Sequence, residues 1–295
     1  MLKNPRVLVL GSTGMVGHQL CKYLTSKSEF TLFDIARSFK FRNETKIIDI
    51  ENKKEELEKY IKFINPDYII NCIGLLVAGS NKKSESAIII NSYLPHMLCR
   101  IASEIDSRLI HISTDCVFSG QKGGYIESDY RDGQGAYALT KILGEVIDDN
   151  NLTLRTSIVG PEIRMNGEGL FHWFMNQEGK IQGFKQSIWS GVTTVELAKI
   201  IICSINQDLT GLYHVSNNTS ISKFELLQLF KKHSKKNIEI EPFNGELINK
   251  SLIDTRLTLD YKIPTYDKMI FDMISLIANN KSTYSEYYSL NFDKE

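Results

Sequence analysis

The fold is decided by residues Val7–Leu20, which read VLVLGSTGMVGHQL. Four branched apolar residues come first, three glycines follow at positions 11, 14 and 17, and an amphipathic segment comes after them. An apolar run without alternation is typical of a strand that is buried on both faces, as in a parallel sheet. The segment therefore predicts a parallel strand, a glycine turn and a helix in direct succession.

Strand-like and helix-like segments alternate through the first half of the chain. The predicted strands are Val7–Leu10, Phe30–Phe33, Ile47–Asp49, Tyr68–Cys72, Leu109–Ser113 and Leu152–Thr156. The predicted helices are Val16–Ser26, Lys54–Ile64, Ile89–Glu104 and Ala138–Asp148. Repeated strand–helix units predict an α/β fold with a doubly wound parallel sheet of the Rossmann type.

The glycines indicate both packing and chemistry. Glycine permits backbone angles that a Cβ would forbid, and it lets the main chain approach a pyrophosphate closely. The free N–H groups at the start of the following helix would then meet the phosphate charge. Glycine turns between strands and helices also arise for packing alone. The motif by itself is therefore a weak indication of a dinucleotide site.

The amino-acid composition changes after Thr156, where glycine and aromatic residues become more frequent. The elements expected there are a helix at Thr194–Asn206, a strand within GLYHVSN at 211–217 and a helix at Ser222–His233. The predicted domains are an NAD(P)-binding Rossmann domain at 1–158, with 191–216 returning to it, and a smaller, discontinuous C-terminal substrate-binding domain at 159–295.

Composition excludes several function classes. The chain has 295 residues with 35 basic and 35 acidic side chains, so no basic excess favours a nucleic-acid or anionic-membrane partner. The longest near-apolar run, YIINCIGLLVAG, is shorter than the roughly 20 residues of a membrane span.

Five scattered cysteines without a CxxC pair predict reduced thiols and a cytoplasmic location. Six dispersed histidines predict no metal site.

A second motif, YALTK, places Tyr137 and Lys141 four residues apart, on one face of a predicted helix. It follows HISTDCVFSG, which lies at the end of a predicted strand. When a ketone is reduced, hydride goes to carbon and the oxygen must receive a proton, which a phenol can supply. Tyrosine has a pKa of about 10, so a phenol that acts as acid and base near neutral pH needs its pKa lowered by about 2–3 units, and the nearby ammonium of Lys141 is expected to supply much of this shift. Thr114 would hydrogen-bond the carbonyl, with Ser113 as the rival hydroxyl.

The motifs together resemble a known superfamily. GSTGMVG resembles the TGxxGxxG loop of the extended short-chain dehydrogenase/reductases, although Leu10 replaces the leading threonine. ISTDCVFSG, YALTKILGE, LRTSIVG and GLYHVSNNTSISKFEL narrow the resemblance to the dTDP-4-dehydrorhamnose reductase family. This resemblance implies an oxidoreductase that uses NAD(P)H to reduce the 4-keto group of a nucleotide-linked 6-deoxy sugar, for the synthesis of cell-surface polysaccharide precursors.

The resemblance also implies roles for particular residues. The catalytic residues would be Thr114, Tyr137 and Lys141. The cofactor-binding residues would be Gly11, Thr13, Gly14, Met15, Val16, Gly17, Arg37, Ser38, Asp49, Ile50, Cys72, Ile73, Gly74 and Asn91, together with Tyr137 and Lys141. The substrate-binding residues would be Asp115, Cys116 and Trp173.

Two departures from the family pattern affect the substrate. Cys116 stands where a tyrosine is usual, and the segment EGLFHWFMNQ also differs from the rhamnose enzymes. A different nucleotide sugar, such as a UDP-linked 2-acetamido-2,6-dideoxy-4-hexulose, is therefore an alternative to dTDP-4-dehydrorhamnose.

The segment FTLFDIARS bears on the choice of cofactor. An acidic residue at the end of the second strand favours NAD, and an arginine there favours the extra phosphate of NADP. Asp34 and Arg37 are both present. Because the ARS ending resembles the NADP-type pattern, with Arg37 on the 2′-phosphate and Ser38 beside it, NADP(H) is favoured and NAD(H) stays open.

Two other function classes stay open as well. An epimerase or dehydratase of the same superfamily would keep the hydride within the site, but dehydratases usually carry further acidic residues where this chain has Cys116 after Asp115. A non-catalytic regulatory subunit would bind dinucleotide without turnover, but it would not need all three catalytic side chains. The sequence leaves the sugar and the oligomeric state open, with a homodimer as one option.

Overall fold

The computed structural model describes residues 4–288. Its strands are β1 Arg6–Leu10, β2 Thr31–Ala36, β3 Lys46–Ile47, β4 Tyr68–Asn71, β5 Arg108–Thr114, β6 Leu152–Thr156, β7 Ile158–Val159, β8 Lys180–Phe184, β9 Ser187–Trp189, β10 Val192–Thr193, β11 Gly211–His214, β12 Ile221–Ser222, β13 Glu239–Phe243 and β14 Ile248–Asn249. Seven of these strands form one parallel sheet in the order β11-β6-β5-β4-β1-β2-β3.

Helices cover both faces of this sheet. They are α1 Met15–Thr25, α2 Lys54–Ile64, α3 Val77–Lys82, α4 Ser84–Ala87, α5 Leu94–Glu104, α6 Gly135–Leu143, α7 Leu170–Met175, α8 Thr194–Asn206, α9 Lys223–Ser234, α10 Tyr266–Asn279 and α11 Lys281–Tyr284. A π-helical turn, Ile88–Tyr93, joins α4 to α5, and a 3₁₀ turn, Asp115–Val117, follows β5.

The central strand β1 explains why the sheet has two covered faces. Alternate residues of a strand point to opposite sides, so an unbroken apolar run needs an apolar partner on each side. Leu8 and Leu10 pack into the cluster that contains Leu57 of α2 and Leu98 of α5, whereas Val7 and Val9 belong to the cluster on the other face. The prediction of a doubly wound parallel α/β fold is confirmed.

Several element boundaries differ from the predicted ones. β2 continues to Ala36, three residues beyond the predicted end at Phe33, so Asp34 lies inside the strand. The helix predicted at Ala138–Asp148 begins at Gly135 and ends at Leu143. Gly144 ends it while packed on the π-helical turn, where a Cβ would lie 1.8 Å from the carbonyl oxygen of Asn91.

The second half of the chain forms smaller sheets beside the main one. β13 pairs with β8, and β9 lies between β12 and β14. β11 pairs in parallel with β6, so the chain returns to the edge of the main sheet. The division into domains at residue 158 stays a prediction. Over residues 4–288, no helix combines the length and apolar character needed to cross a membrane.

The strand order places a crevice at the carboxyl ends of the strands. From β1 the chain runs outward to β2 and β3 and then crosses back to β4, on the other side of β1. Ligands of open α/β sheets bind outside such a switch point. The glycine loop after β1, residues 72–74 after β4 and Thr114 at the end of β5 therefore share one edge of the sheet.

Candidate active site

The glycine loop has the geometry of a phosphate cradle. Gly11 has φ +85°, and a Cβ at Gly17 would lie 2.1 Å from the Gly11 carbonyl oxygen, so α1 can pack here only without a side chain. Helix α1 has no side-chain cap at Gly14 and no acidic residue in its first turn. Its first N–H groups are thus available to an anion.

Two adjoining cavities extend from this loop, with volumes of about 320 and 460 Å³. The first, here called the outer cavity, is lined by Gly11, Ala36, Arg37 and residues 48–51. The second, the inner cavity, is lined by the start of α1, the end of β5 and helix α6. Thr13, Gly14, Leu76, Arg164, Glu168 and residues 72–74 line both cavities, so the two form one continuous crevice.

In the outer cavity, Arg37 and not Asp34 is the residue available to a ligand. The buried carboxylate of Asp34 accepts hydrogen bonds from Arg42 Nη1 at 3.0 Å and Thr45 Oγ1 at 2.7 Å. Arg37 is exposed and lines the cavity, and Asp49 and Ile50 lie on another wall. The Asp49 Oδ1 atom is buried and has no hydrogen-bond partner among the described residues.

The inner cavity brings Thr114, Tyr137 and Lys141 together. Thr114 Oγ1 donates to Asp115 Oδ1 at 3.1 Å and accepts from the N–H of Cys116 at 3.1 Å. The rival hydroxyl, Ser113 Oγ, donates to Glu145 Oε1 at 2.7 Å and is committed to that contact. Thr114 is therefore the hydroxyl that remains beside the phenol.

The pKa of Tyr137 does not follow the expectation drawn from the sequence. Burial raises it, the negative charges of Cys116 and Asp115 raise it further, and the hydroxyl of Thr114 lowers it. The side chain of Lys141 instead points at β5, where Nζ donates to the carbonyl oxygen of Ile112 at 2.9 Å. The expectation that Lys141 lowers the pKa of Tyr137 is wrong for this arrangement, and the phenol keeps its proton throughout the neutral range.

Lys141 belongs to a buried group with His111 and Asn71, here called the lysine cluster. Its Nζ lies 3.3 Å from His111 Nε2, and His111 Nδ1 lies 3.2 Å from Asn71 Nδ2. Burial lowers the pKa of Lys141 to about 8, and the charge of Glu145 opposes that shift. Burial and then the charge of Lys141 lower the pKa of His111 well below its usual range, so the ring is neutral.

Asn71 determines which nitrogen of His111 carries the proton. The N–H of Ile73 donates to Asn71 Oδ1 at 3.1 Å, which leaves Nδ2, a donor, facing His111 Nδ1. Nδ1 then accepts and the ring proton is on Nε2, the atom that faces Lys141. A neutral amine can accept this N–H and an ammonium cannot. The lysine cluster thus favours the uncharged form of Lys141, in the same direction as burial.

A second group, here called the glutamate cluster, consists of Glu145, Arg155, Arg131 and Ser113, and Glu145 stands four positions after Lys141. Glu145 accepts hydrogen bonds from Arg155 Nε at 2.7 Å, from Arg155 Nη2 at 2.7 Å, from Arg131 Nη1 at 2.9 Å and from Ser113. Burial opposes ionisation of Glu145, but Arg155 and its other donors hold the pKa of this carboxyl below its usual range. The cluster anchors the end of β5, where Thr114 begins the site.

Some residues predicted for the site lie outside both cavities. Asn91 is buried, and its amide accepts from the N–H of Leu75 at 2.8 Å and donates to the Leu75 carbonyl at 3.0 Å, so it holds the loop after β4. Trp173 is 39% exposed on α7, and neither it nor Ser38 lines a cavity. Gly17 is buried under the loop. The other predicted residues, Met15, Val16, Asp115 and Cys116 included, line the crevice.

Sequence reasoning missed three residues near the crevice. His111 stands three positions before Thr114 and pairs in register with Asn71, a pairing that only the sheet order reveals. Arg164 and Glu168 reach the crevice from the segment between β7 and α7, which carries no recognisable motif. Over residues 4–288, no group of three or more His, Cys, Asp and Glu side chains is arranged to hold a metal ion.

Comparison with known proteins places the chain in a family. Residues 5–252 match the family model described as RmlD substrate binding domain. A curated relative, the dTDP-4-keto-6-deoxy-D-glucose reductase of Streptomyces niveus, is 24% identical over 238 residues, which are 76% of this chain and 77% of that one.

Solved structures agree with this match. A hypothetical dTDP-4-dehydrorhamnose reductase from Sulfolobus tokodaii is 28% identical with a TM-score of 0.75, covering 89% of this chain and 98% of that chain. The dTDP-4-dehydrorhamnose reductase of Bacillus anthracis, solved in complex with NADP, is 21% identical with a TM-score of 0.80, covering 93% and 100%. Because the family match spans most of the chain, the protein belongs to the RmlD substrate-binding-domain family, within the extended short-chain dehydrogenase/reductases.

Proposed function

We propose that this protein is an NADP(H)-dependent reductase of the 4-keto group of a nucleotide-linked 6-deoxy sugar. The observation that carries the proposal is the inner cavity, where Thr114, Tyr137 and Lys141 line the same space as the glycine loop. The family match and the reductase name of the Streptomyces niveus relative support the same reaction class.

The outer cavity fits the adenosine half of a dinucleotide. The α1 N-terminus and the bare glycines accommodate a diphosphate. The unpartnered Asp49 Oδ1 is a buried acceptor for which an adenine amino group would supply the donor. Arg37 is free to bind a 2′-phosphate, whereas the carboxylate of Asp34, which would favour NAD, is occupied by Arg42 and Thr45. These contacts support NADP(H), the cofactor of the Bacillus anthracis structure.

The residues of the inner cavity suit proton delivery to a ketone. A bound reduced nicotinamide supplies the hydride. Thr114 would rotate its single O–H from Asp115 Oδ1 to the carbonyl oxygen and so fix the distance of that oxygen from Tyr137, whose neutral O–H then donates the proton. Lys141, with a pKa of about 8, is mostly ammonium at neutral pH and would donate a charge-assisted hydrogen bond to the nicotinamide ribose, which fixes the ring beside Tyr137.

The substrate is either dTDP-4-dehydrorhamnose or a UDP-linked 2-acetamido-2,6-dideoxy-4-hexulose. Cys116 lines the inner cavity beside Tyr137, and its small side chain leaves room for a sugar substituent such as an acetamido group. The product would be a precursor of a cell-surface polysaccharide. A cytoplasmic location and a homodimer stay predictions, and the mass of the protein in solution would test the latter.

The test is to mix the purified protein with NADPH and each 4-keto-6-deoxy nucleotide sugar and to follow NADPH absorbance. Loss of absorbance with one of the sugars is expected, and Tyr137→Phe should lower turnover by about 10²–10⁴-fold because the acid is removed. The variant should bind NADPH as the wild type does. Binding without consumption would favour a regulatory subunit, and a changed sugar without net NADPH consumption would favour an epimerase or dehydratase.

A further inference from the structure

A loop from the second half of the chain lies across the crevice. Residues 160–169, here called the crossing loop, follow β7 and precede α7. Arg164 and Glu168 of this loop line both the outer and the inner cavity. The crossing loop therefore faces the place where the two cavities join, which is also the place of the glycine loop.

Arg164 reaches the glycine loop directly. Its Nη2 donates a hydrogen bond to Thr13 Oγ1 at 3.2 Å, across 151 positions of sequence. The side chain is exposed, and over residues 4–288 it has no ion pair with a carboxylate. A guanidinium has five N–H donors in a rigid plane, so most of these donors are available to a further acceptor.

The groups opposite Arg164 also attract an anion. Thr13 and Gly14 lead into α1, whose N-terminus carries partial positive charge and is not offset by an acidic residue in the first turn. Two electropositive groups thus face each other with one threonine hydroxyl between them. A diphosphate, with acceptor oxygens on both sides, is complementary to such a pair, and arginine can bind it through two parallel N–H groups.

The ends of the crossing loop are held in place. Glu162 Oε1 accepts from the N–H of Gly169 at 2.6 Å, and the N–H of Glu162 donates to the Tyr288 hydroxyl at 2.7 Å. His172 Nε2 lies 3.2 Å from the Met165 carbonyl oxygen. The tip that carries Arg164 is therefore presented to the crevice from a fixed base.

We propose that Arg164 binds the diphosphate of the dinucleotide from the side opposite the glycine loop. This inference rests on the dinucleotide site proposed above. It gives the second half of the chain a contact with the cofactor and makes the crossing loop part of the cofactor site as well as a wall of the inner cavity. The diphosphate of a nucleotide sugar has the same chemistry, and the contact with Thr13 of the glycine loop favours the dinucleotide.

Equilibrium binding measured by titration calorimetry tests the proposal with three probes: NADPH, NADH and 2′-AMP, which has the adenosine 2′-phosphate and no diphosphate. Arg164→Gln should weaken NADPH and NADH alike by about tenfold, the loss of one charge-assisted hydrogen bond, and should leave 2′-AMP unchanged. Arg37→Gln should weaken NADPH and 2′-AMP and leave NADH unchanged, since Arg37 faces a different phosphate.

Lys185→Gln is the matched control, because it removes a positive charge from an exposed side chain in the second half of the chain that lines neither cavity. It should leave the affinities for all three probes unchanged. Thermal melting of each variant checks that the fold is retained. The inference would be overturned if Arg164→Gln bound NADPH and NADH as tightly as the wild type does. If the variant also had a raised KM for the nucleotide sugar, the arginine would be assigned to the diphosphate of the substrate. Failure of the wild type to bind either dinucleotide would instead overturn the proposed function.

Discussion

The lysine cluster and the glutamate cluster are neighbours, yet they treat a buried charge in opposite ways. Glu145 is surrounded by two arginines and a serine, so its carboxylate is fully paired. Lys141, four positions earlier, contacts a carbonyl oxygen and a neutral histidine, and no carboxylate within salt-bridge distance is found for it in the described chain.

The difference separates structural from chemical roles. A paired buried charge is retained in one protonation state and holds its neighbours in place. A buried charge that is left without a counter-ion has a pKa moved towards the working pH, which is typical of functional sites. On this criterion, we propose a structural role at the end of β5 for the glutamate cluster and a chemical role for the lysine cluster.

The largest expected effect comes from Lys141→Met. Turnover should fall by about 10²-fold, because the cofactor loses the charge-assisted hydrogen bond that fixes the nicotinamide ribose, and with it the ring, beside Tyr137. The free energy of unfolding should stay the same or rise, because the variant no longer buries an ammonium without a counter-ion. Initial rates and urea denaturation measure the two quantities. A variant that loses stability and keeps its turnover would reverse the roles assigned to the clusters.

Glu145→Gln should have the opposite effects: a large loss of stability and a smaller loss of turnover in the protein that remains folded. It leaves the buried guanidinium of Arg155 and the half-buried guanidinium of Arg131 without their counter-ion and should lower the free energy of unfolding by about 3–5 kcal/mol. Glu58 offers a matched control, since it also contacts a lysine and an arginine but on the surface. Glu58→Gln should cost at most about 1 kcal/mol. Equal losses in the two variants would show that burial of Glu145 does not matter.

The pH dependence should report Lys141. With a pKa of about 8, its ammonium is present at lower pH and is lost as the pH rises through that value. The raised pKa of Tyr137 keeps the phenol protonated over the same range. The reductive kcat/KM should therefore be constant near neutrality and fall above about pH 8. In His111→Asn, the new amide can turn its oxygen towards Lys141 Nζ and stabilise the ammonium. The fall in kcat/KM should therefore move to higher pH.

The smallest expected effect on turnover among the site variants is that of Ser113→Ala. It removes one hydrogen bond to the buried Glu145 carboxylate, worth about 1.5–3 kcal/mol of stability, and should leave kcat nearly unchanged. Thr114→Ala, one position along, should instead lower kcat with a smaller effect on stability. The pair is compared by initial rates and thermal melting. A loss of kcat in Ser113→Ala and not in Thr114→Ala would show that Ser113, and not Thr114, binds the substrate carbonyl.

Much of the fold could be predicted because its signals are local. The apolar run at Val7–Leu10, the three glycines and the period of Lys54–Ile64 each depend on residues close in sequence, and the structure has these elements where they were expected. The family motifs identified Thr114, Tyr137 and Lys141 for the same reason. They are short, and each lies at the end of a strand or on one face of a helix.

Other features depend on residues that are distant in sequence. The sequence favours Arg37 as a cofactor ligand but leaves Asp34 open, whereas in the folded chain the Asp34 carboxylate is bound by Arg42 and Thr45 inside an extended β2. The direction of Lys141 depends on His111 and Asn71, which meet only because β4 and β5 are neighbours. Gly144, at which helix α6 ends, packs against Asn91 of the π-helical turn, 53 positions earlier in the sequence.

By itself, the sequence determined the parallel sheet, the glycine cradle and the three residues proposed for catalysis, because backbone geometry and side-chain periodicity act over a few residues. Only the tertiary structure decided which charges are paired, which hydroxyl contacts the Tyr137 phenol and that Arg164 reaches Thr13. The physical reason is that a hydrogen bond or a desolvation energy depends on the atoms within a few ångströms, and the folded chain takes those atoms from anywhere along its length.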